Sequence, residues 1–309
     1  MTSPHIVATL TSFNRREQTL SALQCLAVAA AQAGVRLSAV LVDDGSSDGT
    51  AQAVARRFSW VQVLHGDGGL YWTRGMHLAM KSALNMVNAD YVLWLNDDCH
   101  LYPDALVRLL QASHTLQSSR QRPGIVVGAT ADPVTGKLSY SGMVVAGALR
   151  PLAFRQIHSP TDLLPCDAMN GNVVLIPTSV AHSVGNLDPE FAHAMGDIDY
   201  GLRARRLGHP IAIAPGFIGS CRSNPQAGSF QDSRLGLSRR WQLFTDRKVL
   251  PPKSWLHLTR RHGGLFWPLQ FALPYAVFFV KALWSALPDR KSTRLNSSHS
   301  RRSRMPSSA

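Results

Sequence analysis

Tyr91-Val-Leu-Trp-Leu-Asn-Asp-Asp-Cys-His100 decides how this chain is read. Tyr91–Leu95 has the length and apolarity of a fully buried strand. It stops at Asn96, Asp97 and Asp98, so two carboxylates stand where the strand leaves the core. The same form occurs upstream, where Ala39–Val42 is followed by Asp43-Asp44-Gly45-Ser46. If both strands belong to one parallel sheet, both acidic pairs lie at its carboxyl edge, where open α/β sheets bind ligands. Four carboxylates there repel one another unless a cation or protons offset them. Oxygen ligands of this kind suit Mg²⁺ or Mn²⁺, ions that usually arrive with phosphates. Turn chemistry alone can put Asp and Asn after one strand, but it explains two such pairs less well.

Outward from this centre the chain alternates. His5–Leu10 reads as a first strand, and Asn14 with Glu17 as a capping pair for a helix striped by Leu20, Leu23 and Ala27. Gly45–Gly49 is a turn before a helix over Thr50–Arg57, Val61–Leu64 is a third strand, and a helix is expected from about Arg74 to Asn88. Three strand–helix–strand units in a row predict a parallel, nucleotide-binding half-domain. The glycines of Gly66–Gly75 lack the spacing and acidic partner of a dinucleotide fingerprint. From about Arg122 the rhythm changes to strands over Gly124–Thr130, Lys137–Val145 and Asn172–Ile176, which predicts a mixed sheet. A helix is expected to start near Asp197 and end at Gly208. By residue type alone, Asp197 and Asp199 in its first turn are favourable charge placement that lowers their pKa.

Length suits one large domain or two small ones. The four widely spaced cysteines fit free thiols in a reducing compartment, and no secretory leader is visible. The net charge of +13 invites nucleic acid, but its distribution argues against it. Residues 1–233 hold 17 basic and 17 acidic side chains, whereas 234–261 hold eight basic residues against Asp246. Residues 289–309 resemble a translated sequencing-library adapter, in two in-frame stretches separated by an index-sized gap, and are excluded from the fold. Without them 26 basic residues face 18 acidic ones.

Taken in order, five motifs resemble inverting glycosyltransferases of family 2, and in general appearance their bacterial rhamnosyltransferase-like branch. They are Thr11-Ser-Phe-Asn-Arg15, Val42-Asp-Asp-Gly-Ser46, Leu95-Asn-Asp-Asp98, Met169-Asn-Gly-Asn-Val173 and Gly196-Asp-Ile-Asp-Tyr-Gly-Leu-Arg203. The resemblance implies a GT-A fold, with a Rossmann-like parallel nucleotide-sugar half over about 1–121 and a mixed-sheet acceptor half over 122–250. It implies a nucleotide-diphospho-sugar donor (UDP- or dTDP-linked), a divalent Mg²⁺ or Mn²⁺ ion, and a glycan or lipid-linked acceptor in cell-surface polysaccharide biosynthesis. By position, Thr11, Phe13 and Asp43 would meet the base and ribose, Asn96 and Asp97 fill the early positions of the metal motif, and Asp98 would bind the metal. Asp197 fills the catalytic-base position, and Arg74 would assist the diphosphate. Two departures stand out: Asn96 replaces the usual aspartate, and Gly196 replaces a glutamate. A degenerate sugar-nucleotide-binding subunit is the main rival. A sugar nucleotidyltransferase is a weaker one, because Thr11–Arg16 has no glycine-rich loop for a triphosphate.

Residues 251–288 form a basic and apolar segment. Leu265–Val280 is rich in aromatics, interrupted by Pro268 and Pro274, and flanked by the basic stretch, with Trp255, Trp267 and Trp284 suited to a headgroup boundary. An interfacial anchor is expected ahead of a spanning helix or a helix packed on the domain. The whole predicts a cytoplasmic enzyme held peripherally on the inner face of the membrane, with no nucleic-acid partner.

Overall fold

Strands β1 (His5–Ser12), β2 (Arg36–Asp43), β3 (Val61–His65) and β4 (Tyr91–Leu95) pair in parallel in the computed structural model. The structure describes residues 3–86, 89–147, 150–223 and 227–286. The adapter-like tail 289–309 and the side chain of Trp284 lie outside them. β4 and the carboxyl half of β2 are continuous apolar runs because helices cover both faces, whereas β3, at the edge, alternates through the exposed Gln62. On one face α1 (Arg16–Ala33), α2 (Thr50–Arg57) and α4 (Ala105–Arg120) set Leu23, Val54 and Leu109 against Ile6, Leu10, Leu41 and Leu93. On the other, α3 (Tyr71–Leu84), α5 (Thr178–Val184) and α6 (Gly196–Arg206) set Met76, Met80, Val180 and Tyr200 against Val92, Trp94 and Ile176.

The acceptor half continues the same sheet. Beyond β4 comes β12 (Val173–Pro177), antiparallel, with Val173 opposite Leu95. Then follow β6 (Ile125–Ala131) and β13 (Ile211–Ser220), in the order β10-β13-β6-β12-β4-β1-β2-β3, where β10 is Leu164–Pro165. Two short strands lie off this path: β5 (His100–Leu101) pairs β13, and β7 (Leu138–Tyr140) pairs β6. A small second sheet orders β11 (Ala168–Met169), β8 (Gly142–Val145) and β9 (Phe154–Gln156). The expected strand over 137–145 is therefore two strands, divided at Ser141 and belonging to different sheets.

Past α7 (Leu237–Phe244), α8 (Pro252–His262) and α9 (Trp267–Ala286) close the chain. Pro268 sits in the first turn of α9, where its missing N–H is not needed, and the helix runs on through Pro274. Trp255 donates its indole N–H to the Phe271 carbonyl at 3.0 Å, pinning α8 to α9. Phe278 stacks on Phe244 with centroids 4.8 Å apart, tying α9 to α7.

Candidate active site

Pairing of β12 with β4 brings the site together. Asn96 donates its backbone N–H to the Asn172 carbonyl (3.0 Å), laying Met169–Val173 beside Asn96-Asp97-Asp98. Gly171 N–H then donates to Asp197 Oδ2 at 2.9 Å, and Ile198 N–H to Oδ1 at 2.9 Å. Thr11, Phe13, Asn96, Asp97, Asp98 and Asp197 thus line one cavity of about 1050 Å³. Asp43 and Arg74 do not line it. Asp43 accepts Ser46 N–H (3.0 Å) and Ala51 N–H (3.2 Å), so it holds the turn into α2. Helix α3 starts three residues before Arg74, whose Nε donates to the Pro189 carbonyl at 2.9 Å. Asp44 is the member of the first pair that borders the cavity, and its carboxylate accepts the N–H groups of Gly68, Leu70 and Tyr71.

Asp97 and Asp98 share one cation: Arg15 Nη1 lies 3.0 Å from Asp97 Oδ1 and 2.7 Å from Asp98 Oδ2. Burial pushes the Asp97 carboxyl up to about 6, against the opposing pull of Arg15 and of the Ser12 hydroxyl. Burial likewise raises Asp197, with the Gly171 and Ile198 amides pulling the other way. The lowering expected from the helix dipole does not prevail, because loss of water around the carboxylate outweighs it. Two residues on, Asp199 behaves in the opposite way. It is fully buried yet held down to about 2, because His262, Arg203 and Arg261 overcome its burial. Its contacts are Arg203 Nε at 2.8 Å, Arg261 Nη1 at 2.9 Å and His262 Nε2 at 2.8 Å.

Both departures from the motif have packing reasons. Asn96 Oδ1 accepts the Trp72 indole N–H at 2.7 Å, a bond that fixes Trp72 over Gly171. A Cβ on Gly196 would collide with Thr73, whose hydroxyl donates to the His193 carbonyl at 2.7 Å. The backbone is also strained here. Of the four non-glycine residues at positive φ among the described residues, Tyr71 (55°) and Met195 (77°) line the cavity, and Asn14 (51°) lies between the lining residues Phe13 and Arg15, a clustering that functional sites often show. Asn14 is not the expected cap, since its Oδ1 accepts Ser47 N–H at 2.8 Å across the neighbouring loop.

Arg15, Trp72, His193 and Arg247 also line the cavity, although residue type and spacing alone assign them no role. Arg15 is the last residue of the motif Thr11–Arg15, beside Asn14. His193 is held neutral, with burial lowering it to about 4, and its Nδ1 accepts Trp72 N–H at 3.4 Å. Arg247 and Lys248, counted within the basic run, line the cavity, and the Arg247 guanidinium lies 4.1 Å from the Tyr71 ring centroid.

A parallel nucleotide-type half joined through one sheet to a mixed half, with an acidic cavity at the carboxyl ends of its strands, defines a GT-A glycosyltransferase. The model of a family described as "Glycosyltransferase like family 2" matches residues 4–243, and the chain belongs to that family. Two curated relatives are each 26% identical over 58% of this chain and 64% of their own length. Both are N-acetylglucosaminyl-diphospho-decaprenol L-rhamnosyltransferases of Mycobacterium tuberculosis, from strains CDC 1551 and H37Rv. The chain therefore spans just under two thirds of the relatives it matches. A mannosyltransferase from Pyrobaculum calidifontis, solved with GDP-Man and Mn²⁺, shares the fold. Its TM-score is 0.53 at 17% identity, covering 92% of this chain and 72% of that one.

Proposed function

We propose that this chain transfers a deoxyhexosyl group, by inversion, from a dTDP- or UDP-linked sugar to a hydroxyl of a lipid-linked glycan. The activity of the mycobacterial relatives supports a rhamnosyl donor and an N-acetylglucosaminyl-diphospho-lipid acceptor. One observation carries the reading: a carboxylate made more basic by burial lines the same cavity as a clustered acidic pair. Asp197 keeps lone pairs beyond the two that accept Gly171 and Ile198 N–H. It takes the proton of the acceptor hydroxyl as that oxygen bonds to the anomeric carbon. The nucleotide diphosphate leaves from the opposite face. Its raised pKa makes Asp197 a stronger base than an ordinary aspartate. Thr11 and Phe13 bracket the nucleoside, and Asn96 offers a ribose its amide nitrogen because Trp72 holds the oxygen.

The acidic pair fits a divalent ion. Two adjacent carboxylates are balanced by a single arginine, and Asp97 resists ionisation because burial and the neighbouring Asp98 outweigh that arginine. Cys99 and Cys221 lie beside Asp98, but burial raises the Cys99 thiol well above its usual range. The two carboxylates are hard oxygen donors and suit Mg²⁺ or Mn²⁺, ions for which thiols are poorly matched ligands. Asp98, with Asp97, would hold the ion, which supplies charge neutralisation for the leaving diphosphate.

The Asp197→Asn variant is the direct test. It should bind the sugar nucleotide and melt as wild type does, while transfer falls about 100- to 10,000-fold. In the wild type, the acid limb of kcat/KM should lie above the ordinary carboxylate range, as the raised pKa requires. Undiminished turnover in the variant would place the base elsewhere, and nucleotide binding with no turnover in the wild type would favour a binding subunit.

The same reading places the protein on the inner face of the membrane. One helix, Gly264–Ala282, is long and apolar enough to cross a bilayer, and 11% of it is buried in the protein. Its contacts with α7 and α8 favour lying along the surface, with Leu265 (88% exposed) and Leu269 (67%) outward. Vesicles containing anionic lipid should float the protein at low salt and release it at high salt. Flotation that survives removal of residues 251–288 would refute this.

A further inference from the structure

The cavity lining combines two kinds of chemistry. Asp97, Asp98 and Asp197 are its carboxylates. Leu152, Phe154, Leu250, Trp255, Leu258 and Leu273 form an apolar wall with no part in transfer chemistry. Leu152, Trp255 and Leu258 are buried members of one hydrophobic cluster, against which Phe154, Leu250 and Ile198, the neighbour of Asp197, pack. Asp246-Arg-Lys-Val-Leu250 lines the cavity as well. Along it charged side chains give way to apolar ones.

The apolar wall continues onto the outside of the protein. Leu273 lines the cavity and is itself 37% exposed. In α9, Leu269, Leu273 and Val280 are spaced by four and seven residues, so they lie along one side, and Leu265 and Phe266 stand in the 3-10 turn just before it. The others of this set are exposed. An apolar path therefore leads from the active-site cavity, past Leu273, to the surface proposed to rest on the membrane.

We propose that this wall holds the first isoprene units of a polyprenyl-diphosphate-linked acceptor, with Arg247 and Lys248 on its diphosphate. This rests on the glycosyl-transfer reading above and extends it to how the acceptor is held. The order sugar, diphosphate, isoprenoid then matches the order Asp197, Arg247 and Lys248, Leu250 and Trp255. A headgroup alone would leave the wall uncovered. A tail alone would leave the two arriving cations without a partner from the ligand.

Farnesyl diphosphate is a suitable probe, because it carries isoprenoid and diphosphate without any sugar. Its binding, below its micelle concentration, can be followed through tryptophan fluorescence and compared with inorganic diphosphate. Farnesyl diphosphate should bind at least about tenfold more tightly, since several buried methylene equivalents readily supply that ratio. Leu273→Gln, at a partly exposed position, should erase most of the gain, and Arg247→Gln should weaken both ligands. Leu273→Gln should melt as the wild type does and keep its affinity for inorganic diphosphate, which reports an intact fold and an intact polar site. Equal affinity of wild type for the two ligands, or an unaltered ratio in Leu273→Gln, overturns the proposal. Sugar transfer that succeeds equally on acceptors with and without an isoprenoid overturns it too, while leaving the transferase reading intact. Absence of transfer from any donor, with the farnesyl preference retained, overturns the transferase reading and upholds the groove.

Discussion

Asp43-Asp44 ends β2 and Asp97-Asp98 ends β4, at equivalent places in the same sheet. Their surroundings are opposite. The recorded partners of the first pair are backbone amides: Ser46 and Ala51 on Asp43; Gly68, Leu70 and Tyr71 on Asp44. Those of the second are side chains, chiefly Arg15. The first pair is spent on shaping loops, and the second keeps an electrostatic demand that a cation can meet. The contrast recurs on α6, where Asp197 faces the cavity with a raised pKa and Asp199 lies behind it with a depressed one. The two pairs thus differ in how far their charge is answered by the protein itself.

The comparison breaks most sharply at Asp98. Asp98→Asn should cut transfer at least about a hundredfold with little change in melting temperature, and chelator should do the same to the wild type. Because Asp97 must lose its proton to accept an ion, Mn²⁺ affinity should be about half its full value near pH 6 and complete well above it. At pH 5 it should be about tenfold weaker, as calorimetry would register. Asp44→Ala should show the reverse balance. Removing a buried acceptor from three amides should cost about 2–4 kcal/mol of stability, read by denaturant unfolding, with transfer falling less than in Asp98→Asn. If Asp44→Ala is as stable as wild type, the division of labour between the pairs is wrong. The smallest effect concerns Asp199. Its pKa is lowered, so the stability it contributes is full above the usual carboxylate value and is lost as pH falls toward about 2. Asp199→Asn should therefore cost about 2 kcal/mol at pH 7, with the gap from wild type closing at the acid end.

The parallel half was legible because its strands are apolar or regularly alternating; Tyr91–Leu95 and Thr50–Arg57 fall where the pattern puts them. Strand β13 was not, though it runs for ten residues between β10 and β6. Pro215-Gly216 interrupts its pattern, and the register shifts between Ile213 and Phe217. The freed groups find partners no local rule could supply. Arg108 on α4 donates to the Pro215 and Phe217 carbonyls, and Gly216 N–H donates to the Ser159 carbonyl. The ordered motifs gathered most of the cavity, since chain direction at a sheet edge follows from topology. Arg74 and Asp43 escaped because the direction of one side chain depends on where a helix begins and which amides lie nearby. Arg261 escaped for a related reason: it reads as part of a basic run, yet it closes on Asp188 and Asp199 in the fold.

The close approach of Thr73 to Gly196 also constrains the order in which this site can change. A glutamate placed at 196 meets the threonine side chain before it can reach the cavity, so that change alone is a collision. Trimming Thr73 first is passable, at the loss of its hydrogen bond to His193. The two positions form a one-way pair of steps, and a lineage that has taken the glycine keeps it until the threonine gives way.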